Sequence, residues 1–118
     1  MKDLAKLVKE FSDNVVAQTS ATKAGDSRTG NKHAKRYIRA FEKLRALGDA
    51  GRDALVPLML KGTPTDVRGT AAAFLLRYRH EEARRVLEEI ARGKGFDAFA
   101  AGETLMRWDE GVWQLDPP

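Results

Sequence analysis

The sequence predicts an all-α protein, an α-α superhelix of three stacked antiparallel helix pairs, and three observations carry that expectation. Apolar residues recur at helical steps of three and four along most of the chain, and no segment alternates like a strand. Glycine, proline and short polar residues gather at a few points that divide these runs into six. The stretch Leu75-Leu76-Arg77-Tyr78 returns 30 residues later as Leu105-Met106-Arg107-Trp108, with Ala71 and Ala101 preceding the two copies alike, as repeated hairpins would require.

Leu4, Leu7, Val8, Phe11 and Val15 fall on one stripe with Lys6, Lys9, Glu10 and Asp13 outside it, which predicts a first helix over 3–23. Residues 24–31 concentrate glycine with short polar side chains and read as a loop or a ragged helix end. A second helix uses Ala34, Tyr37, Ile38, Phe41 and Leu44, and ends where Leu47 meets Gly48. A third, over 50–61, carries Leu55, Leu58 and Met59 with Pro57 inside it, where the missing amide predicts a bend. Thr63-Pro64-Thr65-Asp66 opens a fourth helix whose buried face is Val67, Ala71, Phe74, Leu75 and Tyr78. Glu81 and Glu82 start a fifth, with Ala83, Val86, Leu87 and Ile90 inward; Arg92-Gly93-Lys94-Gly95 closes it. The sixth runs over 96–108. The rest is an extended tail in which Trp113 is expected to fold back onto the last helices.

At 118 residues the chain reads as a single helical domain, 1–118, with 109–118 as the tail. The absence of cysteine excludes disulfides, thiolate metal sites and a cysteine nucleophile, and suits a reducing cytoplasm. Charged residues interrupt every apolar run, so no membrane association is expected and the localisation read from the sequence is cytoplasmic. The net charge of +4 conceals an asymmetry: residues 1–47 carry 11 Lys/Arg against 5 Asp/Glu, whereas residues 80–118 carry 5 against 9. An acidic partner is therefore expected at the front of the chain.

The run Leu55-Val56-Pro57-Leu58, Thr65-Asp66-Val67-Arg68, Ala71-Ala72 and Leu75 resembles a HEAT repeat. That resemblance implies an alanine pair that lets helices approach, and an arginine at 68 that ties neighbouring repeats together by hydrogen bonds. Gly25-Asp26, Asn31, Gly48 to Arg52, Val67-Arg68 and Trp108 extend the likeness to small bacterial HEAT-like proteins known only as a domain of unknown function. The first helix pair departs from the pattern, with a longer loop and no Val-Arg element.

Searching for chemistry yields little. His33 and His80 lie near helix ends without a cluster at metal-ligand spacing. Gly93-Lys94-Gly95 is too short for a phosphate loop, and Glu81, Glu82, Glu88 and Glu89 belong to a polar helix face. Ser12, Ser20 and Ser27 have no histidine at recognisable spacing. No catalytic, metal or cofactor-binding residue is assigned, no cofactor is expected, and the chain reads as a non-enzyme.

The feature that stands out is basic. Lys32, Arg36, Arg39 and Lys43 advance by four, three and four residues, forming a cationic ridge opposite Tyr37, Phe41 and Leu44. If the second helices of the pairs line one surface, Arg77 and Arg107 join this ridge as partner-binding residues. A charged face kept only for solubility is the plain alternative. The leading reading is a protein-protein interaction module that holds an acidic protein; the resemblance extends this to an immunity or antitoxin-like partner of a bacterial toxin. The alternatives are electrostatic nucleic-acid binding through the basic face of the second helix, favoured by a sequence pI near 9.6, and a subunit of a homo-oligomeric assembly.

Overall fold

A computed structural model describes residues 3–118, and among them every regular element is helical: six α-helices and one 3-10 turn. The chain packs as two compact units, one running to Leu55 and the other Val56–Pro118.

The first unit holds α1 (Asp3–Lys23), α2 (Ser27–Ala46) and the short α3 (Asp49–Leu55). Leu7, Phe11 and Val15 of α1 are buried with Ala40, Phe41 and Leu44 of α2, so the two helices form an antiparallel hairpin around one apolar seam. The Phe11 ring meets the edge of Tyr37 at 5.7 Å.

Of the stretch 24–31, read as a loop or a ragged helix end, residues 27–31 are helical and only 24–26 form the connection, and two local devices explain this. Gly25, at a φ of 78°, ends α1 by letting Asp26 N donate to Ala21 O (2.9 Å) and Gly25 N to Thr22 O (3.0 Å). Asp26 then caps α2 at once, its carboxylate accepting from Thr29 N at 3.1 Å and Thr29 Oγ1 at 2.7 Å. Gly30 is accordingly a buried helical residue. A Cβ there would sit 3.4 Å from Thr22 Oγ1 and 3.8 Å from Ala21 Cβ, ordinary van der Waals contact with α1 at the neck of the hairpin. Ile38, expected on the buried stripe, is 40% exposed.

A second close approach joins α2 to α3. A Cβ on Gly51 would lie 1.8 Å from the Leu44 carbonyl oxygen, so only glycine permits this packing. The expected helix over 50–61 is two elements: α3 stops at Leu55, and Val56–Met59 is a 3-10 turn opening the second unit. Pro57 supplies no amide and its ring opposes the preceding turn, which favours a new element over a bent helix.

The second unit continues with α4 (Thr65–Phe74), α5 (His80–Ala91) and α6 (Phe96–Asp109). Val67, Ala71, Ala72, Leu75 and Leu76 are fully excluded from solvent, with Ala83, Val86, Leu87 and Ile90 of α5 behind them. Small residues set the spacing: a Cβ on Gly69 would touch Ile90 Cδ1 at 3.4 Å. Arg68 crosses the unit, Nε donating to Met59 O (2.8 Å) and a terminal nitrogen to Glu89 Oε1 (3.4 Å), so one side chain links the 3-10 turn, α4 and α5.

α4 ends at Phe74, four residues short of the expected Tyr78, because the tail supplies its carboxy-terminal cap. Trp113 Nε1 donates to Ala73 O at 2.9 Å, satisfying a carbonyl of the last turn. Trp113 also meets Trp108 edge to face at 5.1 Å, and Trp108 stacks against His80 at 5.0 Å. The two copies of the internal repeat therefore differ: Leu75 and Leu76 are buried in a turn, whereas Leu105 and Met106 lie within α6 with Met106 exposed.

Candidate functional site

The amphipathic pattern of α2 dictates where its charges go. Because Tyr37, Phe41 and Leu44 turn inward, residues 32, 36, 39 and 43 must turn outward, and all four are exposed. Arg28 and Lys35 are exposed on the same side of the same helix. Arg28 was hidden from sequence reasoning, since a loop over 24–31 gives it no helical phase until Asp26 is recognised as the cap, whereas Lys35 lies in phase with Lys32 and Arg39 and was legible. The resulting row extends about 22 Å along the helix at 1.5 Å per residue.

No ion pair to any of these six cations forms among the described residues. The arrangement works against the helix itself. Like charges three and four residues apart destabilise a helix by roughly 0.2–0.5 kcal/mol per pair, and α2 has no acidic residue in its first turn while Arg28 sits there, at the positive end of the helix dipole. At the amino-terminal end Ser27, Arg28, Asn31, Lys32 and Lys35 line a shallow depression. At the other end Lys43 and the exposed Leu47 share a cleft with Lys6, Leu7 and Glu10 of α1.

Titratable groups around the ridge serve structure. The Asp26 carboxyl is held below its ordinary value by its bonds to the Thr29 hydroxyl and amide. The Tyr37 phenol is pushed up by burial. His33 Nδ1 lies 2.9 Å from Asn14 Oδ1 across the hairpin.

The other two sequence-predicted site residues belong to the second unit and have internal partners. Arg77 bonds the Asp116 main-chain oxygen through Nε at 3.0 Å, and a terminal nitrogen lies 3.6 Å from the Asp116 carboxylate, which is 1% exposed. It fixes the tail and, with Trp108, Trp113 and Gln114, lines a cleft of about 420 Å³. Arg107 is 3.8 Å from Glu103 on its own helix. Arg84 bridges α5 to the end of α6 through Asp109 (3.0 Å) and also reaches Glu88 (3.0 Å); these partners, Asp109 first, raise its already high pKa. Glu89 is held below the ordinary glutamate range by its hydrogen bond and charge attraction to Arg68.

No cluster of three His, Asp or Glu side chains suited to a metal ion occurs among the described residues, nor does any helix there long and apolar enough to cross a membrane. Compared with protein families, curated proteins and solved structures, the chain finds no match.

Proposed function

We propose that this chain is a non-enzymatic binding module that holds an acidic protein against the cationic face of α2. The observation that carries this reading is the row of six exposed cations on one helix with no ion pair among the described residues, whereas Arg68, Arg77 and Arg84 of the second unit are committed to carboxylate or carbonyl partners. A face maintained for solubility alone is better served by interspersed signs, which avoid the like-charge cost along the helix. A partner carboxylate at each position would turn that repulsion into attraction and accelerate encounter.

A protein partner is favoured over nucleic acid by what accompanies the charge. Ile38 and Leu47, exposed by 40% and 48%, give α2 apolar contact area beside the cations. Tyr37 is turned inward against Phe11 and Phe41 is buried, so neither phenyl ring of α2 is open for a base to stack on. A preformed helix face also loses little conformational entropy on docking. The sequence's resemblance to small HEAT-like proteins extends this proposal to an immunity or antitoxin-like role.

The test is affinity capture from nuclease-treated host extract, with the wild-type chain and an Arg36→Glu/Arg39→Glu variant as parallel baits. A protein recovered stoichiometrically by the first and lost by the second, then bound in direct titration with salt-sensitive affinity, is the expected result. Equal recovery by both baits, or retention only of duplex DNA with a log-log salt slope of about −0.9 per phosphate neutralised, would overturn it.

A further inference from the structure

We propose that α6 pairs with the α6 of a second copy of this chain, antiparallel across a two-fold axis near Gly102 and Glu103. The helix is apolar on two sides. One side sends Ala98 and Ala101 into the core of the second unit. The other presents Phe96, Phe99 and Met106, which are 47%, 67% and 47% exposed. Phe99 and Met106 are one heptad apart and so lie within about 20° of one line along the helix. Between them Gly102 has open space where a Cβ would stand, leaving room for a second backbone to come near. The tail turns the other way, onto Ala73 and Trp108, and leaves this face bare.

What singles out a second copy as the occupant is the charge at the two ends. α6 is preceded by Arg92-Gly93-Lys94, ends at Asp109 and is followed by Glu110. Laid antiparallel on its own copy over its length of about 21 Å, α6 brings Lys94 beside Glu110 of the second copy at both ends at once. The same axis sets Phe99 against Met106 of the second copy, twice. Such reciprocity is the property of an isologous contact; an unrelated apolar partner has no reason to match both ends. Asp109 is already held by Arg84, while Lys94 and Glu110 are exposed. Glu103, close to the axis, carries its own cation in Arg107, which limits repulsion between the two copies.

Three apolar side chains per copy make a small interface, so the pairing is weak, with a Kd of roughly 10 µM to 1 mM. Sedimentation equilibrium at low salt, from about 10 µM to about 1 mM, is expected to show monomer passing to dimer and no higher species. Phe99→Asp, at a side chain too exposed to matter for folding, should weaken the dimer at least tenfold with an unchanged circular dichroism spectrum. Lys94→Glu and Glu110→Lys should each weaken it several-fold, and the two together should restore it. Because the chain has no cysteine, Gly102→Cys adds an independent readout: rapid disulfide-linked dimer formation under mild oxidation. A monomer across the whole range, a dimer insensitive to Phe99→Asp, or failure of the charge swap to restore pairing overturns the proposal. Arg36→Glu/Arg39→Glu should leave this equilibrium unchanged, which separates it from the proposed use of α2.

Discussion

The anchoring arginines of the second unit and the α2 ridge of the first use positive charge in opposite ways. In the second unit guanidinium groups hold structure together: Arg68 joins the 3-10 turn, α4 and α5; Arg84 ties α5 to α6; Arg77 anchors the tail through the buried Asp116. In the first unit the six ridge cations of α2, Arg28, Lys32, Lys35, Arg36, Arg39 and Lys43, form no ion pair among the described residues, and their mutual repulsion costs the helix stability. Basic composition alone does not distinguish these uses. What does is whether removing a cation is expected to weaken the fold or to relieve it.

The largest expected effect concerns the scaffold that displays the ridge. Gly51→Ala places a methyl group against the Leu44 carbonyl, where no rotamer change can yield, and should destabilise the first unit by about 3 kcal/mol in urea unfolding. Next comes Arg68→Ala. The side chain is 11% exposed and bonds both Met59 O and Glu89, so its loss should cost about 2 kcal/mol. Arg77→Ala removes the guanidinium facing Asp116; the tail can partly solvate the carboxylate by lifting away, which limits the cost to about 1 kcal/mol. The sharper sign is a red shift in tryptophan fluorescence as Trp113 leaves Ala73. Arg36→Ala/Arg39→Ala should shift stability by less than about 0.5 kcal/mol, and upward, because a like-charged pair is removed. A fall comparable to that of Arg68→Ala would erase the contrast between the units.

The smallest effect is a pH dependence. Arg68 lowers the folded-state pKa of Glu89, so the pair contributes fully above the unfolded-state value of an ordinary glutamate and is lost as pH falls through the lowered folded-state value. Acid unfolding monitored by circular dichroism should therefore lose part of its steepness below the ordinary glutamate range in Glu89→Gln.

Much of the fold was legible because apolar periodicity reports directly on which helix face is buried. α1, α5 and α6 lie where their stripes place them, and the inward face of α2 is Tyr37, Phe41 and Leu44 as expected apart from Ile38. The failures share a cause: they depend on single contacts that periodicity does not encode. Residues 27–31 are helical because Asp26 caps Thr29 and Gly30 fits against Thr22, although the same letters read equally well as a loop. α4 stops early because an indole from the tail, 40 residues away, takes the Ala73 carbonyl. The candidate site was half legible for the same reason. Lys32, Arg36, Arg39 and Lys43 could be phased, whereas Arg28 depended on the missed cap, and the partner of Arg77, 39 residues away in the tail, lies outside any local pattern.

The central claim, that α2 carries its charge for a partner, is tested most directly by mapping amide and guanidinium NMR shifts while an acidic polypeptide such as polyglutamate is titrated at low salt. Shifts concentrated at Arg28, Lys32, Lys35, Arg36, Arg39 and Lys43, and lost in Arg36→Glu/Arg39→Glu, are the predicted result. Shifts centred on Arg68, Arg77 and Arg84, or spread evenly over every exposed cation, would contradict it.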